Sequence, residues 1–118
     1  MIILNKWSFG ITNDELIKLV LEHKKNATSS LYEENNLPII GEESIIQYDD
    51  KTDACIVKTI DYKIIKFKDM TEDLARLEGE GDLSLDYWKK VHYDFFKSID
   101  SSFNEDTKIV FEIFEVKK

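Results

Sequence analysis

The stretch Leu77–His92 reads LEGEGDLSLDYWKKVH and holds two of the four glycines in a 118-residue chain. Gly79 and Gly81 alternate with Glu78, Glu80 and Asp82. Before them, the spacing predicts a short helix over about 71–78, starting near Thr71 and ending at Gly79, because glycine accepts the left-handed backbone that follows a helix. After them, Leu85, Trp88, His92, Phe95 and Ile99 recur every three or four residues. Val91 and Phe96 widen that stripe, which predicts a helix over 84–98 capped by Asp82 or Ser84. Helix ends and caps leave Glu80 unexplained. An acid between two glycines lies on backbone that other groups can approach closely. Glu80 is therefore expected in a pocket floor, where it accepts hydrogen bonds or holds a lysine.

Working outward, ITNDELIKLVLEHKKNA reads as a helix over about 13–25. Thr12 and Glu15 have capping-box spacing, Asp14 and Glu15 suit the positive end, and Lys24 and Lys25 suit the negative end. Leu16, Leu19, Val20 and His23 form its expected inward stripe. Strands are expected at 27–32, 44–48, 54–60, 62–67 and 107–116, with Glu112 and Glu115 facing out or on a rim. Pro38 and the polar YEENNLP around it mark a loop. Few strands lie a helix apart, as a βαβ array would require. The expected architecture is α+β, one domain over 1–118, with a small, mainly antiparallel sheet or barrel carrying helices.

Composition narrows the function. The formal net charge is −8, so sequence-blind binding along a phosphate backbone is disfavoured. The single arginine, Arg76, cannot sustain recognition by bidentate guanidinium contacts. One cysteine, Cys55, excludes an internal disulfide and reads as a small buried hydrophobe. MIILNKWSF is too short and too soon polar for a signal peptide, and no run approaches a membrane span, which points to a cytoplasmic protein.

Calcium and zinc readings fail on spacing, which leaves a lone magnesium on Glu78, Glu80 and Asp82 as a weak alternative. Glu78, Glu80 and Asp82 match the first three ligands of a calcium loop, but Leu83 stands where its glycine belongs and Lys89 where its last glutamate belongs. His23 and His92 with one cysteine give no zinc spacing. No cofactor is expected.

The stretch His23–Leu31, HKKNATSSL, places Lys25 at an expected helix end and Thr28 at the start of a strand. A lysine near a hydroxyl is the minimum for an activated nucleophile. The helix end and a nearby Glu80 would both favour the charged lysine, so the residues alone read as dipole complementarity on a solvated helix end. Trp7, Tyr87 and Trp88 could stack a base. Core packing is the stronger reading for the tryptophans, and a satisfied core histidine for His92.

Taken together, WSFG (7–10), KKNATSSL (24–31), IIGEESIIQYD (39–49), LEGEGDLSLDYWKKVHYDFF (77–96) and VFEIFEV (110–116) resemble the ASCH-domain family of PUA-like β-barrels, in order and over nearly the whole chain. The resemblance implies a barrel of five or six strands with packed helices. It also implies a cleft beside the first helix that binds RNA or a small nucleotide or nucleoside. Some members hydrolyse RNA or the amide of acetylated cytidine. In the amidohydrolase a lysine and a threonine separated by two residues act with a later glutamate, which implies Lys25, Thr28 and, most naturally, Glu80 here, with Glu78 the alternative. Trp7, Ser8, Lys24, Ser30, Glu78 and Asp82 are the ligand contacts the resemblance suggests. The chain departs from the family pattern at His23, usually glycine, at Asn26, usually threonine, and at Ile11, usually aspartate. Base recognition in the cleft is the leading expectation, and hydrolysis of an acylated nucleobase or of RNA by Lys25, Thr28 and Glu80 the alternative.

Overall fold

The structure is a computed structural model describing residues 4–117; Met1–Ile3 and Lys118, and with them the start of the N-terminal segment considered above, lie outside the described residues. The elements run β1 (Asn5–Trp7), α1 (Asn13–Leu21), β2 (Ala27–Leu31), β3 (Glu43–Gln47), β4 (Asp53–Lys66), a 3₁₀ turn (Phe67–Asp69), α2 (Glu72–Glu78), α3 (Leu85–Ile99) and β5 (Lys108–Val116). The five strands form one sheet in the order β1-β3-β4-β5-β2, curled into a half-barrel. Only the β1–β3 pair is parallel. Among the described residues no helix is long and apolar enough to cross a membrane.

β5 is central because its side chains feed two cores. Ile109 and Phe111 join Ala27, Phe67, Met70, Ala75, Trp88, Phe96 and Phe103 under α2 and α3. Phe114 joins Ile17, Val20, Ile46 and Val57 under α1, with half-buried Cys55 packed against them. Burial pushes the Cys55 thiol up from its ordinary value.

Two helices begin and end as their sequences predict. The Thr71 side chain accepts from Leu74 N, Gly79 closes α2 at φ +69°, and the Ser84 side chain accepts from Tyr87 N. At the end of the α3 stripe, Ile99 is exposed rather than packed.

α1 corrects the sequence reading at both ends. Thr12 is left-handed and makes no capping bond. Asn13 serves instead: its Oδ1 accepts from Phe9 N at 2.7 Å and its Nδ2 donates to Gln47 O at 2.9 Å, which ties the helix start to β3. At the other end the helix stops at Leu21, four residues early. His23 N donates to Val20 O and Lys24 N to Leu19 O, the paired bonds of a Schellman motif. Its left-handed residue is His23, at φ +61°, a position that glycine usually fills. His23 is consequently exposed rather than inward.

The strands at 54–60 and 62–67 are one strand, β4, interrupted by a register shift between Thr59 and Asp61. β1 was not anticipated as a strand.

Candidate functional site

The early end of α1 decides where Lys25 goes. Instead of ending a solvated helix, Lys25 follows the Schellman turn and enters the interior, where it is 2% exposed. Its ammonium donates to Glu80 Oε2 at 2.7 Å, to Glu78 Oε1 at 3.2 Å and to the Glu78 carbonyl at 3.5 Å. The Phe9 ring lies 5.2 Å away as a cation–π neighbour. The two carboxylates reach it because α2 ends against the turn, with Asn26 N donating to Leu77 O at 2.7 Å.

The two acids differ. Glu78 is 1% exposed and its acceptors are filled. Oε1 faces Lys25 and, at 3.4 Å, His92 Nε2, while Oε2 accepts from Ser29 Oγ at 2.7 Å and Trp88 Nε1 at 2.5 Å. Burial pushes the Glu78 carboxyl up, but Lys25, His92 and Ser29 outweigh it and hold the group well below the usual carboxylate range. Among the described residues the Glu80 carboxylate bonds only Lys25, with its side chain 11% exposed, so it keeps capacity for another partner. Glu78 thus fixes the lysine, and Glu80 faces the opening.

Ser29, Trp88 and His92 complete this arrangement, and no sequence signal assigned them to it. His92 Nδ1 lies 2.9 Å from the Trp88 carbonyl, which can only accept, so Nδ1 carries the proton and Nε2 turns to Glu78. Burial lowers the imidazole's affinity for a second proton, but the bond to Glu78 and the nearby carboxylates outweigh it, and the pKa is raised above 6.5. A raised folded value gives stability that is full below the unfolded pKa and lost as pH rises through the folded one. The melting-temperature advantage of wild type over His92→Gln is therefore expected to shrink between about pH 6 and pH 8. A constant advantage across that range would contradict it.

Oxygen and nitrogen atoms of Glu78, Glu80 and His92 lie within 4.8 Å of one another, a geometry able to hold a cation. The Lys25 ammonium already stands at both carboxylates, so the residues present do not fit a divalent ion.

Lys25, Glu78, Glu80 and His92 border a hollow of about 50 Å³ that Phe9, Gly10, Thr28, Ser29 and Phe95 share with a much larger cleft. The hollow has room for a few waters rather than a pyrimidine ring. The cleft, about 710 Å³, lies at the seam of the half-barrel: edge strands β1 and β2 both line it, and the Asn35–Ile39 loop borders it. Thr28 stands at the junction, yet its hydroxyl makes no hydrogen bond to Lys25 among the described residues. Trp7, Ser8 and Ser30 line the cleft. Trp7 Nε1 donates to Ser44 Oγ at 2.9 Å, and its ring meets Phe9 edge-on. Lys24 and Asp82 line neither space. Lys24 pairs with Glu22 on the surface, and Asp82 accepts from Ser84 N in the turn before α3.

Residues 5–118 match the family profile of the ASCH domain. The chain belongs to the ASCH-domain family. An ASCH domain from Lactobacillus crispatus JV V101, solved by crystallography, is 26% identical, with a TM-score of 0.86 over 96% of this chain and 79% of that one. The crystal structure of a protein from Enterococcus faecalis V583 is 30% identical, with a TM-score of 0.89 over 99% of this chain and 78% of the other. A hypothetical protein at 22% identity shares the fold, with a TM-score of 0.67 over 95% of this chain and 99% of its own. No curated protein sequence matches the chain. The ASCH domain is a fold associated with RNA or nucleotide binding, and a PUA-like assignment is consistent with these matches.

Proposed function

We propose that this ASCH domain recognises a nucleobase, from RNA or from a small nucleotide or nucleoside, in the cleft at the barrel seam. The observation that carries this reading is the state of Lys25. Its Nζ lies within hydrogen-bond distance of Glu80 Oε2, Glu78 Oε1 and the Glu78 carbonyl, three acceptors that suit a held ammonium. Such a lysine orients Glu80, and Glu80 offers an acceptor to an amino or ring N–H edge reaching the shared border. Trp7, Phe9 and Phe95 supply apolar walls for the ring.

Amide hydrolysis of an acylated base is the second reading, favoured by one observation: Thr28 lies between the ligand-sized cleft and the hollow of Lys25 and Glu80. Thr28 Oγ1 would attack the carbonyl while Lys25 takes its proton and passes it to the base nitrogen as the C–N bond breaks, and water would then release the acyl group from Thr28; Lys25 must first surrender a proton to Glu80.

Calorimetric titration with nucleosides tests the first reading. Glu80→Gln is expected to weaken binding about 10- to 100-fold, the loss of a charge-assisted hydrogen bond, and Thr28→Ala to leave affinity nearly unchanged. Absence of binding, or binding indifferent to Glu80, would overturn it. Turnover of acetylated cytidine that disappears in Thr28→Ala while binding persists would establish the second.

A further inference from the structure

We infer that the cleft discriminates against phosphate, and that Glu112 on its β5 wall, supported by Glu42, is the residue that enforces this. The inference rests on the cleft being the ligand site proposed above. Among the described residues its lining contains two carboxylates, Glu42 and Glu112, and no lysine, arginine or histidine. The adjoining hollow adds Glu78 and Glu80 against a single ammonium, Lys25, which those two acids already hold. A phosphate entering the cleft therefore meets uncompensated negative charge from the wall and no cation on it.

Glu112 is built into that wall rather than waving from it. It pairs with Thr28 across β2 and with Tyr62 across β4, and Thr59 Oγ1 donates to its Oε2 at 2.5 Å. Thr59 is itself buried, which fixes the carboxyl's position. Thr59 occupies one carboxyl oxygen, and the other has no protein partner among the described residues. That oxygen is available to accept from a ligand N–H or hydroxyl, and its charge repels a phosphate. Burial raises the Glu112 carboxyl's pKa against the Thr59 bond, and the charge of Glu42 adds to the rise. The occupant that fits is a free base or nucleoside, or one splayed-out base whose phosphates remain outside the seam.

The test compares each of the four common nucleosides with its 5′-monophosphate by calorimetry at low salt. The nucleoside is expected to bind about tenfold or more tightly than its monophosphate, with the gap narrowing as salt rises. Glu112→Gln, an isosteric change, should cut that gap about three- to tenfold with a smaller effect on the nucleoside. Glu42→Gln, on the exposed rim, should narrow it less and serves as the second variant should Glu112→Gln fail to fold. A monophosphate that binds as tightly as its nucleoside overturns the discrimination while leaving the cleft reading intact. A gap unmoved by either substitution overturns the role of Glu112. If neither ligand class binds, the cleft reading fails, and this inference fails with it.

Discussion

Lys25→Met is expected to lower the unfolding free energy by about 3–5 kcal/mol at neutral pH, the cost of removing one partner from a buried ion pair. For a chain of this length that corresponds to a melting temperature lower by about 12–20 °C. The cost comes from what is left behind. Glu78 would remain 1% exposed, with Ser29, Trp88 and His92 but no ammonium beside it. Two controls separate this from simple loss of packing. Glu78→Gln in the Lys25→Met background should recover a substantial part of the loss. Glu80→Gln should recover less, because the Glu80 side chain retains some contact with water. The pH dependence has a definite sign. In the wild type the depressed Glu78 value contributes stability that is present above its unfolded value of 4.5 and lost as pH falls below it. Without Lys25, burial dominates, the carboxyl's affinity for a proton rises, and neutralising it relieves the penalty. The gap between variant and wild type should therefore shrink from neutral pH to about pH 4.5, measured by denaturant melts at both. A gap that is constant, or smaller than 1 kcal/mol throughout, would show that the buried ammonium is not what holds the two acids.

What the sequence disclosed depended on how local the signal was. Gly79 and Ser84 carry the end of α2 and the start of α3 within a few residues, and the Trp88, His92 and Phe96 stripe needs no distant partner to be read. The end of α1 misled because the Schellman geometry is normally announced by glycine, and here the left-handed position is His23. β4 was split because the register shift between Thr59 and Asp61 looks, in one dimension, like a turn between two short strands. β1 has three residues and one parallel partner about forty positions away, so nothing nearby marks it. The site followed the same rule. Charge logic alone left Lys25 on a solvated helix end; the acid–glycine spacing suggested that Glu80 could hold a lysine, and the family resemblance put Lys25, Thr28 and Glu80 in one site. The donors holding Glu78 are invisible locally: Ser29 lies 49 residues from it, and Trp88 reaches it across a turn that only the packing of α3 defines.

Gly79→Ala should destabilise the protein by about 3 kcal/mol or more, and Gly81→Ala by only about 1 kcal/mol, although both glycines are left-handed. The torsional cost is shared, at φ +69° and +58°, so it cannot separate them. Their surroundings do. A Cβ on Gly79 would stand 1.9 Å from the Lys24 carbonyl oxygen and 2.5 Å from its carbon, both backbone atoms of the turn that delivers Lys25. Neither can rotate away, so α2 must withdraw, loosening the Asn26–Leu77 bond and the Glu78 contacts together. The atoms nearest a Cβ on Gly81 all belong to the Tyr87 ring, a side chain 40% exposed and free to swing into solvent. Denaturant melts of the two variants read the difference directly, and equal costs would mean that the approach of α2 to the Lys24 turn is not tight. The same contrast carries over to binding. Glu80 is the next residue after Gly79, so any withdrawal of α2 pulls its carboxylate off Lys25. Under conditions where both variants remain folded, Gly79→Ala should therefore lose nucleoside affinity, whereas Gly81→Ala, whose strain falls beyond the acid, should retain most of it.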